Sequence, residues 1–548
     1  MGSNTWARDM GKGRYDNGPA LFAALVMGSA FSGTAMSQPV AVSPATMPRV
    51  TTVDERYQSY NVEMAEVIGG NFWKPYSEQS KTAENTRQTA NDAPSSGTDL
   101  EAGQDPNTFE ARPPIDVTNT RLRKLAAALG PAYLRVSGTW ANTVYFHDSD
   151  TPAPASPPRG FKGILTRSQW RSVVEFTHAV NAGLTTSFAV SSGVRDAAGV
   201  WTPDQARRLL DYTKAVGGEI AAAEFFNEPT MPEYGGAPAG YDAAQHARDF
   251  AAFRAFAREA APNMRIVGPA SVGEAVLLPA MSGKAPSVLK TEDLLSASPR
   301  PVFDVFSYHF YGAASIRCAA MGPGAQTTAE AALSEDWLSR ADRSYTFYAG
   351  LRDRFEPGTP IWITEMADAA CGGNPWASTF LDTFRYLDQH GRLARNGVSV
   401  VFHNTLASSE YGLLDQNTFA PRPNYWAALL WRRLMGQNVL DAGPARPGLS
   451  LHAQCLPGHP GGVTLLAINT SATDGHAIQL PLAAERYTLT AEKLESDRIR
   501  LHGQELKLGA DDQLPPLQGH HIERGQVELV PASITFLSME GAENRNCR

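Results

Sequence analysis

Between Tyr60 and Thr405, short runs of β-forming residues alternate with stretches at helical spacing, and this alternation constrains the fold more than any other feature of the chain. Eight runs qualify: Tyr60–Val67, Ala132–Val136, Thr185–Val190, Ala222–Phe226, Arg265–Val267, Val305–Tyr308, Ile361–Thr364 and Ser399–Phe402. Helical spacing is clearest over Arg121–Leu129, Gln169–Ala182, Pro203–Val216, Ala243–Ala260, Ala331–Phe355 and Thr379–Arg395, and weak only around Val288–Leu295. Such alternation predicts parallel strands joined by crossover helices. Eight units predict an α/β chain with a (β/α)8 TIM barrel over residues 59–437, its chemistry gathered at the carboxyl ends of the strands.

After Trp431 the pattern changes to short strands with period-two alternation and Gly, Asp and Pro turns. This predicts a β-sandwich over residues 438–548. A strand within residues 45–58, centred on Arg49–Arg56, is expected to join it. Glu78–Asp105 is polar and reads as a long loop, and Thr151–Arg159 is rich in proline. At the start, Arg8, Lys12 and Arg14 precede an apolar stretch from Pro19 to Phe31, with small residues at Ala30, Ala35 and Ser37. Residues 1–37 therefore read as a signal peptide, too short to span a membrane, which predicts a secreted or periplasmic protein. No later segment has the length of a membrane span, and a monomer is expected.

The formal net charge is -8, which leaves no basic stripe to displace counterions from phosphates and argues against a nucleic-acid partner. Four cysteines, Cys318, Cys371, Cys455 and Cys547, permit two disulfides in three connectivities. Cys455 and Cys547 share the C-terminal region and form the most natural pair. None shows C-x-x-C spacing, so no metal or redox motif is expected.

The chemistry is expected at two glutamates. Asn227-Glu228-Pro229 ends the fourth run, and Glu365 ends the seventh. Elsewhere an Asn-Glu-Pro triplet would be an ordinary turn, and a lone glutamate an ion-pair partner or a helix-terminal charge. At the ends of two strands of one barrel, both carboxylates face the same rim. Glycosidic bond cleavage requires such a pair: one group protonates the leaving oxygen, while the other attacks the sugar or activates water. Desolvation would raise Glu228 towards the pKa of a general acid. Asn227 can bond a sugar hydroxyl, and hydrogen bonds would keep Glu365 ionised as nucleophile.

The sixth run leads into Tyr308-His309-Phe310-Tyr311. His309 and His403 belong to no metal motif, so neither a metal nor a cofactor is expected. His309 and Tyr311 are expected to bond the carboxylates or the sugar, and Arg135 to place positive charge beneath the nucleophile.

These residues resemble glycoside hydrolase family 79, the heparanases and related β-glucuronidases. Pro131-Ala132-Tyr133-Leu134-Arg135 with Gly138-Thr139 is similar to the family's second strand. Ile361–Gly373 followed by Asn424-Tyr425-Trp426 resembles its nucleophile region and last barrel helix, and Asp512-Gln513-Leu514-Pro515-Pro516-Leu517 a segment of its sandwich. The resemblance implies a retaining hydrolase of β-linked glucuronic acid, with Glu228 as acid/base and Glu365 as nucleophile. It places Gly372, Gly373 and Tyr411 at the uronate carboxylate, and makes Glu63 and Thr139 hydroxyl-binding candidates. Glu63 stands where heparanase-type sequences tend to have aspartate. The Cys455–Cys547 pair looks like the family's sandwich disulfide. Mammalian heparanases carry a long excised segment after the second strand; here only Asp148–Arg159 stands there, which implies an active single chain. Without basic clusters, a sparsely sulfated, heparan-like polysaccharide is the expected substrate.

The leading expectation is thus a heparanase-like β-glucuronidase acting on glycosaminoglycan-type chains. A strictly exo-acting β-glucuronidase is the alternative within the class. A carbohydrate-binding barrel without activity is the alternative outside it, and two poised carboxylates argue against that.

Overall fold

The computed structural model describes residues 38–76, 106–282 and 288–548. The expected signal peptide and the loop Glu78–Asp105 lie outside the described residues. Eight parallel strands close into a barrel: β1 Gln58–Glu63, β2 Ala132–Ser137, β3 Ala182–Ser187, β4 Ile220–Glu224, β5 Arg265–Val272, β6 Val305–Ala314, β7 Ile361–Ala370 and β8 Val398–His403. The first run differs from expectation. Its strand ends at Glu63, and Met64–Ile68 forms a short helix instead. The side chains and backbones of Glu63 and Glu66 cap each other there, a local bond that outcompetes continued pairing.

The crossover helices are α1 Thr120–Ala128, α2 Arg167–Ala179, α3 Asp204–Ala215, α4 Ala243–Ala260, α5 Thr291–Ser296, α6 Arg340–Phe355, α7 Phe380–Asn396 and α8 Pro423–Leu434. Their starts follow side-chain capping. Asn119 accepts the Arg121 and Leu122 amides, and Thr166–Gln169 and Asp242–Gln245 form reciprocal boxes at α2 and α4. The weak segment before β6 yields only the six-residue α5.

Inside the barrel the pleat turns sequence into layers. Tyr133, Ala222, Val267, Val305, Trp362, Val400 and Phe402 pack together as an apolar floor. Two residues further along β2, β4 and β6 stand Arg135, Glu224 and Ser307, all buried. Because side chains repeat with period two, an apolar floor at one level places a polar layer directly above it.

The strands after β8 form antiparallel pairs. Asn438–Leu440, Leu449–Cys455, Val463–Asn469, Ser533–Met539 and Ala484–Thr490 lie side by side in a nine-stranded sheet, with Arg49–Thr52 on its edge. A three-stranded sheet, Val40–Ala41, His476–Leu480 and Gly525–Leu529, packs on it through a common core that includes Val40, Ile478, Leu465 and Leu537. Disulfides join Cys318 to Cys371 and Cys455 to Cys547.

Helix α7 joins the barrel to these sheets. Its Asp388 accepts from His452 Nε2 at 2.9 Å and from Arg392 at 2.5 Å. Burial alone would raise the Asp388 pKa, but these two partners outweigh it and hold it at about 2. The folded value lies below the ordinary aspartate value of about 3.9. The bond therefore stabilises the fold above that range, and the contribution is lost as pH falls towards 2. One turn along, a Cβ added to Gly391 would come 2.3 Å from the His452 ring. Helix propensity predicts that Gly391→Ala stabilises by about 1 kcal/mol. We expect the reverse, a loss of about 1–3 kcal/mol from overpacking. Thermal unfolding at pH 7 reads the sign, and a raised Tm would show that His452 moves aside freely.

Candidate active site

Arg135 is the hub. Its guanidinium is fully buried, with Nη1 donating to Glu365 Oε1 at 2.8 Å and Nη2 to Glu224 Oε2 at 2.7 Å and Asn227 Oδ1 at 2.7 Å. Nε also donates to Glu224 at 3.0 Å, so that carboxylate takes both prongs of the fork. Ser307 donates to the remaining Glu224 oxygen at 3.2 Å. The buried guanidinium is thus paired with a carboxylate on each side, so it is not left uncompensated in a layer that water does not reach.

Above this layer sit the two expected carboxylates. Strand β7 skips one residue in its pairing with β6: Tyr308 faces Ile363, and the next pair is His309 with Glu365. The slip at Thr364 aims Glu365 at Arg135. Tyr311 donates to the other Glu365 oxygen at 2.7 Å. Burial pushes the Glu365 pKa up, but His309, Arg135 and the Tyr311 hydroxyl outweigh it and hold it below the usual carboxylate range.

Glu228 is treated differently. It lies beyond β4 with φ 53°, the left-handed region, which costs of order 1–3 kcal/mol for a side chain of this kind. Asn142 fixes the elbow by exchanging two hydrogen bonds with the Asn227 backbone, at 2.9 and 3.0 Å. His309 Nδ1 lies 3.0 Å from Glu228 Oε1, while Arg135 Nη2 approaches Nε2 at 3.4 Å. With the guanidinium at Nε2, the Nδ1 proton is the one offered to Glu228. Burial and the neighbouring Glu365 raise the Glu228 pKa, and the His309 bond only partly offsets them. Two carboxyl groups in one site thus differ in proton affinity, Glu228 above the usual value and Glu365 below it.

Glu228, His309 and Glu365 each present one ligand atom within 4.8 Å of the others, the one such grouping among the described residues. Arg135 already supplies at Glu365 the positive charge that a metal ion would bring, and His309 Nδ1 is engaged with Glu228. The donor set suits proton transfer better than metal binding.

The remaining candidates fall into two groups. Glu63 is buried at the end of β1, close enough to Glu365 for repulsion, after burial, to hold its pKa well above the usual value. Tyr411 joins through Asn404, whose Nδ2 donates to the Tyr311 hydroxyl at 3.0 Å and to the Tyr411 hydroxyl at 3.3 Å. Gly373 abuts the Tyr411 ring, and Gly372 adjoins Trp73 and Arg317. Thr139 follows Gly138, which packs against the Glu63 carboxylate. It lines a cavity of about 410 Å³ with Trp140, Lys162, Tyr234 and Gly235. The cavity borders the segment that follows Glu228.

Sequence reasoning missed Glu224, Asn142 and Asn404. Glu224 carried a signal, a charge at an inward position of the apolar run Ala222–Phe226. Asn404 follows β8 directly, as Asn227 precedes Glu228 beyond β4. Asn142 sits in a loop and shows no pattern.

The profile of the glycosyl hydrolase family 79 N-terminal domain matches residues 113–391, a span that contains β2 to β7 and both glutamates. The chain belongs to glycosyl hydrolase family 79. It is a glycoside hydrolase. This family-79 chain is 27% identical over 494 residues to heparanase-like protein 1 of Arabidopsis thaliana, covering 79% of this chain and 86% of that one. It is 28% identical to the heparanase of Mus musculus, over 78% of this chain and 87% of that one. It is 24% identical to the hyaluronoglucuronidase of Hirudo nipponia, over 79% of this chain and 92% of that one. Among solved structures, a 4-O-α-L-rhamnosyl-β-D-glucuronidase from Fusarium oxysporum superposes with a TM-score of 0.60 at 12% identity, covering 91% of this chain and all of that one. An α-L-arabinofuranosidase from Thermotoga maritima gives 0.59 at 14% identity, over 91% of this chain and 99% of that one. At these identities the two structures speak for the fold alone.

Replacing Tyr311 by Phe removes one of the bonds that lower the Glu365 pKa. The acid limb of the kcat/KM profile, where Glu365 takes up its proton, should then move to higher pH, and kcat should fall about 10–100-fold. An unmoved limb would separate Tyr311 from the ionisation of Glu365.

Proposed function

We propose that this family-79 chain is a retaining hydrolase of β-linked glucuronic acid in heparan-like or related glycosaminoglycan chains. Glu228 acts as acid and then base, and Glu365 as nucleophile. One observation carries the reading: the two carboxyl groups offer oxygens within 4.8 Å of each other, held at opposed proton affinities. Retaining enzymes place their carboxyl groups about 5–5.5 Å apart, whereas inverting enzymes leave a wider gap for water.

Glu365, ionised beside Arg135, attacks the anomeric carbon while Glu228 gives its proton to the departing oxygen. The covalent bond to Glu365 is then broken by a water that Glu228, now a base, deprotonates. Glu228 keeps 12% of its side chain accessible and Glu365 only 5%. The better-exposed group is the one that must meet leaving group and water. Gly372, Gly373 and Tyr411 receive the uronate carboxylate, and Glu63 a sugar hydroxyl. Trp140 and Tyr234 offer aromatic walls to a neighbouring sugar. The heparanases and the hyaluronoglucuronidase among its relatives support a glucuronide as substrate, and the net charge of -8 favours sparsely sulfated chains. The two C-terminal sheets with their common core support a β-sandwich from residue 438 onward. Among the described residues, no helix is long and apolar enough to cross a membrane; secretion and a monomeric state belong to this proposal.

Proton NMR of an aryl β-glucuronide digest tests the mechanism: the β-anomer of glucuronic acid should appear first and mutarotate later. First release of the α-anomer would assign inversion. Glu365→Ala should lose at least about 10³-fold in kcat, with azide restoring part of it as the α-glucuronosyl azide. A size-defined, low-sulfate heparan polysaccharide should shorten rapidly on digestion. Release of free glucuronic acid with little shortening would establish the exo-acting alternative.

A further inference from the structure

The carbonyls of the loop Cys371-Gly372-Gly373 are held by donors from several segments. Arg317, in the segment that follows β6, donates through Nη1 to the carbonyls of Cys371, Gly372 and Gly373 at 3.3, 3.0 and 3.1 Å. Ser315 Oγ donates to the Cys371 carbonyl at 2.8 Å, the Glu410 amide to that of Gly372 at 3.1 Å, and the Tyr76 hydroxyl to that of Gly373 at 2.9 Å. The side chain of Arg317 is 1% exposed. It stacks on Tyr76, 3.8 Å from the ring centre, and anchors through Nη2 to the Lys74 carbonyl at 2.7 Å. Beside it in sequence, Cys318 is bonded to Cys371.

A planar trans peptide points its N–H opposite to its C=O. Three successive carbonyls turned towards Arg317 therefore turn the amides of Gly372, Gly373 and Asn374 away from it. Asp368 takes the Asn374 amide at 2.9 Å. Among the described residues, the Gly372 and Gly373 amides have no protein acceptor. Both glycines have positive φ, 78° and 82°, and a Cβ on Gly372 would meet Trp73 at 2.6 Å and Arg317 at 2.9 Å. No other residue type fits this turn without strain. The result is two adjacent amides turned away from a buried guanidinium, which also pairs with Glu410 at 3.6 Å, a backbone arrangement able to receive an anion.

We infer that Arg317 and the Cys318–Cys371 bridge act together as the positioning device for uronate recognition in this chain. The inference rests on the reading that Gly372 and Gly373 receive the substrate carboxylate. It adds that their orientation is enforced from behind, by residues that never touch the sugar. Removing the device frees the loop to rotate its peptides. Affinity for the carboxylate should fall, while chemistry at Glu228 and Glu365 continues on substrates without one.

The test compares 4-nitrophenyl β-glucuronide with 4-nitrophenyl β-glucoside on the full chain. Arg317→Gln and the double variant Cys318→Ser/Cys371→Ser should lose about 10–100-fold in kcat/KM on the glucuronide, mainly through KM. On the glucoside both should stay within about twofold. Arg317→Lys keeps the charge without the fork and should lie between, which decides the matter if the cysteine variant does not fold. Cys455→Ser/Cys547→Ser removes the distant bridge and should leave the substrate ratio unchanged. Equal losses on both substrates, or the same loss from the distant bridge, would reduce Arg317 and Cys318 to general stabilisers and overturn the inference. A wild-type chain without preference for the glucuronide would instead remove the reading beneath it.

Discussion

The contact on which the site depends is the buried fork of Arg135. A guanidinium out of reach of water must be paired, and its donors are planar, so its partners must stand in fixed directions. Glu224 satisfies one edge, and Glu365 and Asn227 take the rest of the outward side. Those directions determine where β4 and β7 can place their ends. They also bias the two carboxyl groups before substrate arrives: the permanent cation and its neighbours lower the proton affinity of Glu365, while burial raises that of Glu228. The asymmetry on which the proposed acid and nucleophile rest is inherited from a pair that serves the barrel core.

Backbone strain and buried charge meet on this rim. Glu228 takes a left-handed backbone conformation, and Asn142 secures the residue before it with a double hydrogen bond. Glu63 and Glu66 are both buried, and burial pushes Glu66 up to about 8. Such costs are sustained because the rest of the barrel is regular, with an apolar floor and capped helices. Along β2 and β4 polarity increases from floor to rim, and the site lies where that gradient ends.

Much of the barrel was legible because its strands are bounded by abrupt changes of polarity. Glu228 and Glu365 stood out as carboxylates at the ends of apolar runs. The first strand was read too long because Met64, Ala65 and Val67 are apolar enough to extend it, while the capping bond that ends it involves one glutamate three residues from another. Glu224 was hidden by the same apolar run that revealed Glu228. Arg317 was beyond reach. Its meaning lies in carbonyls more than fifty residues away, and hydrogen bonds to backbone leave no mark on the identity of the residues that accept them. Cysteine counting likewise left the partner of Cys371 open, because connectivity is a property of the folded chain.

One feature of the edge strands bears on how the chain is made. Val40–Ala41 pairs with His476–Leu480, Arg49–Thr52 pairs with Asn438–Leu440, and Asn544 donates to the Pro44 and Met47 carbonyls. The first described residues thus pair with segments that follow the barrel, with sequence separations of up to 500 residues. During synthesis that segment must wait, unpaired, while the whole barrel emerges and closes, so its strand edges are exposed to other chains for most of translation. A polypeptide cut short before Ser533 would hold a complete barrel and an uncovered sheet edge. The closing of these sheets is therefore a late event that links the two ends of the described chain.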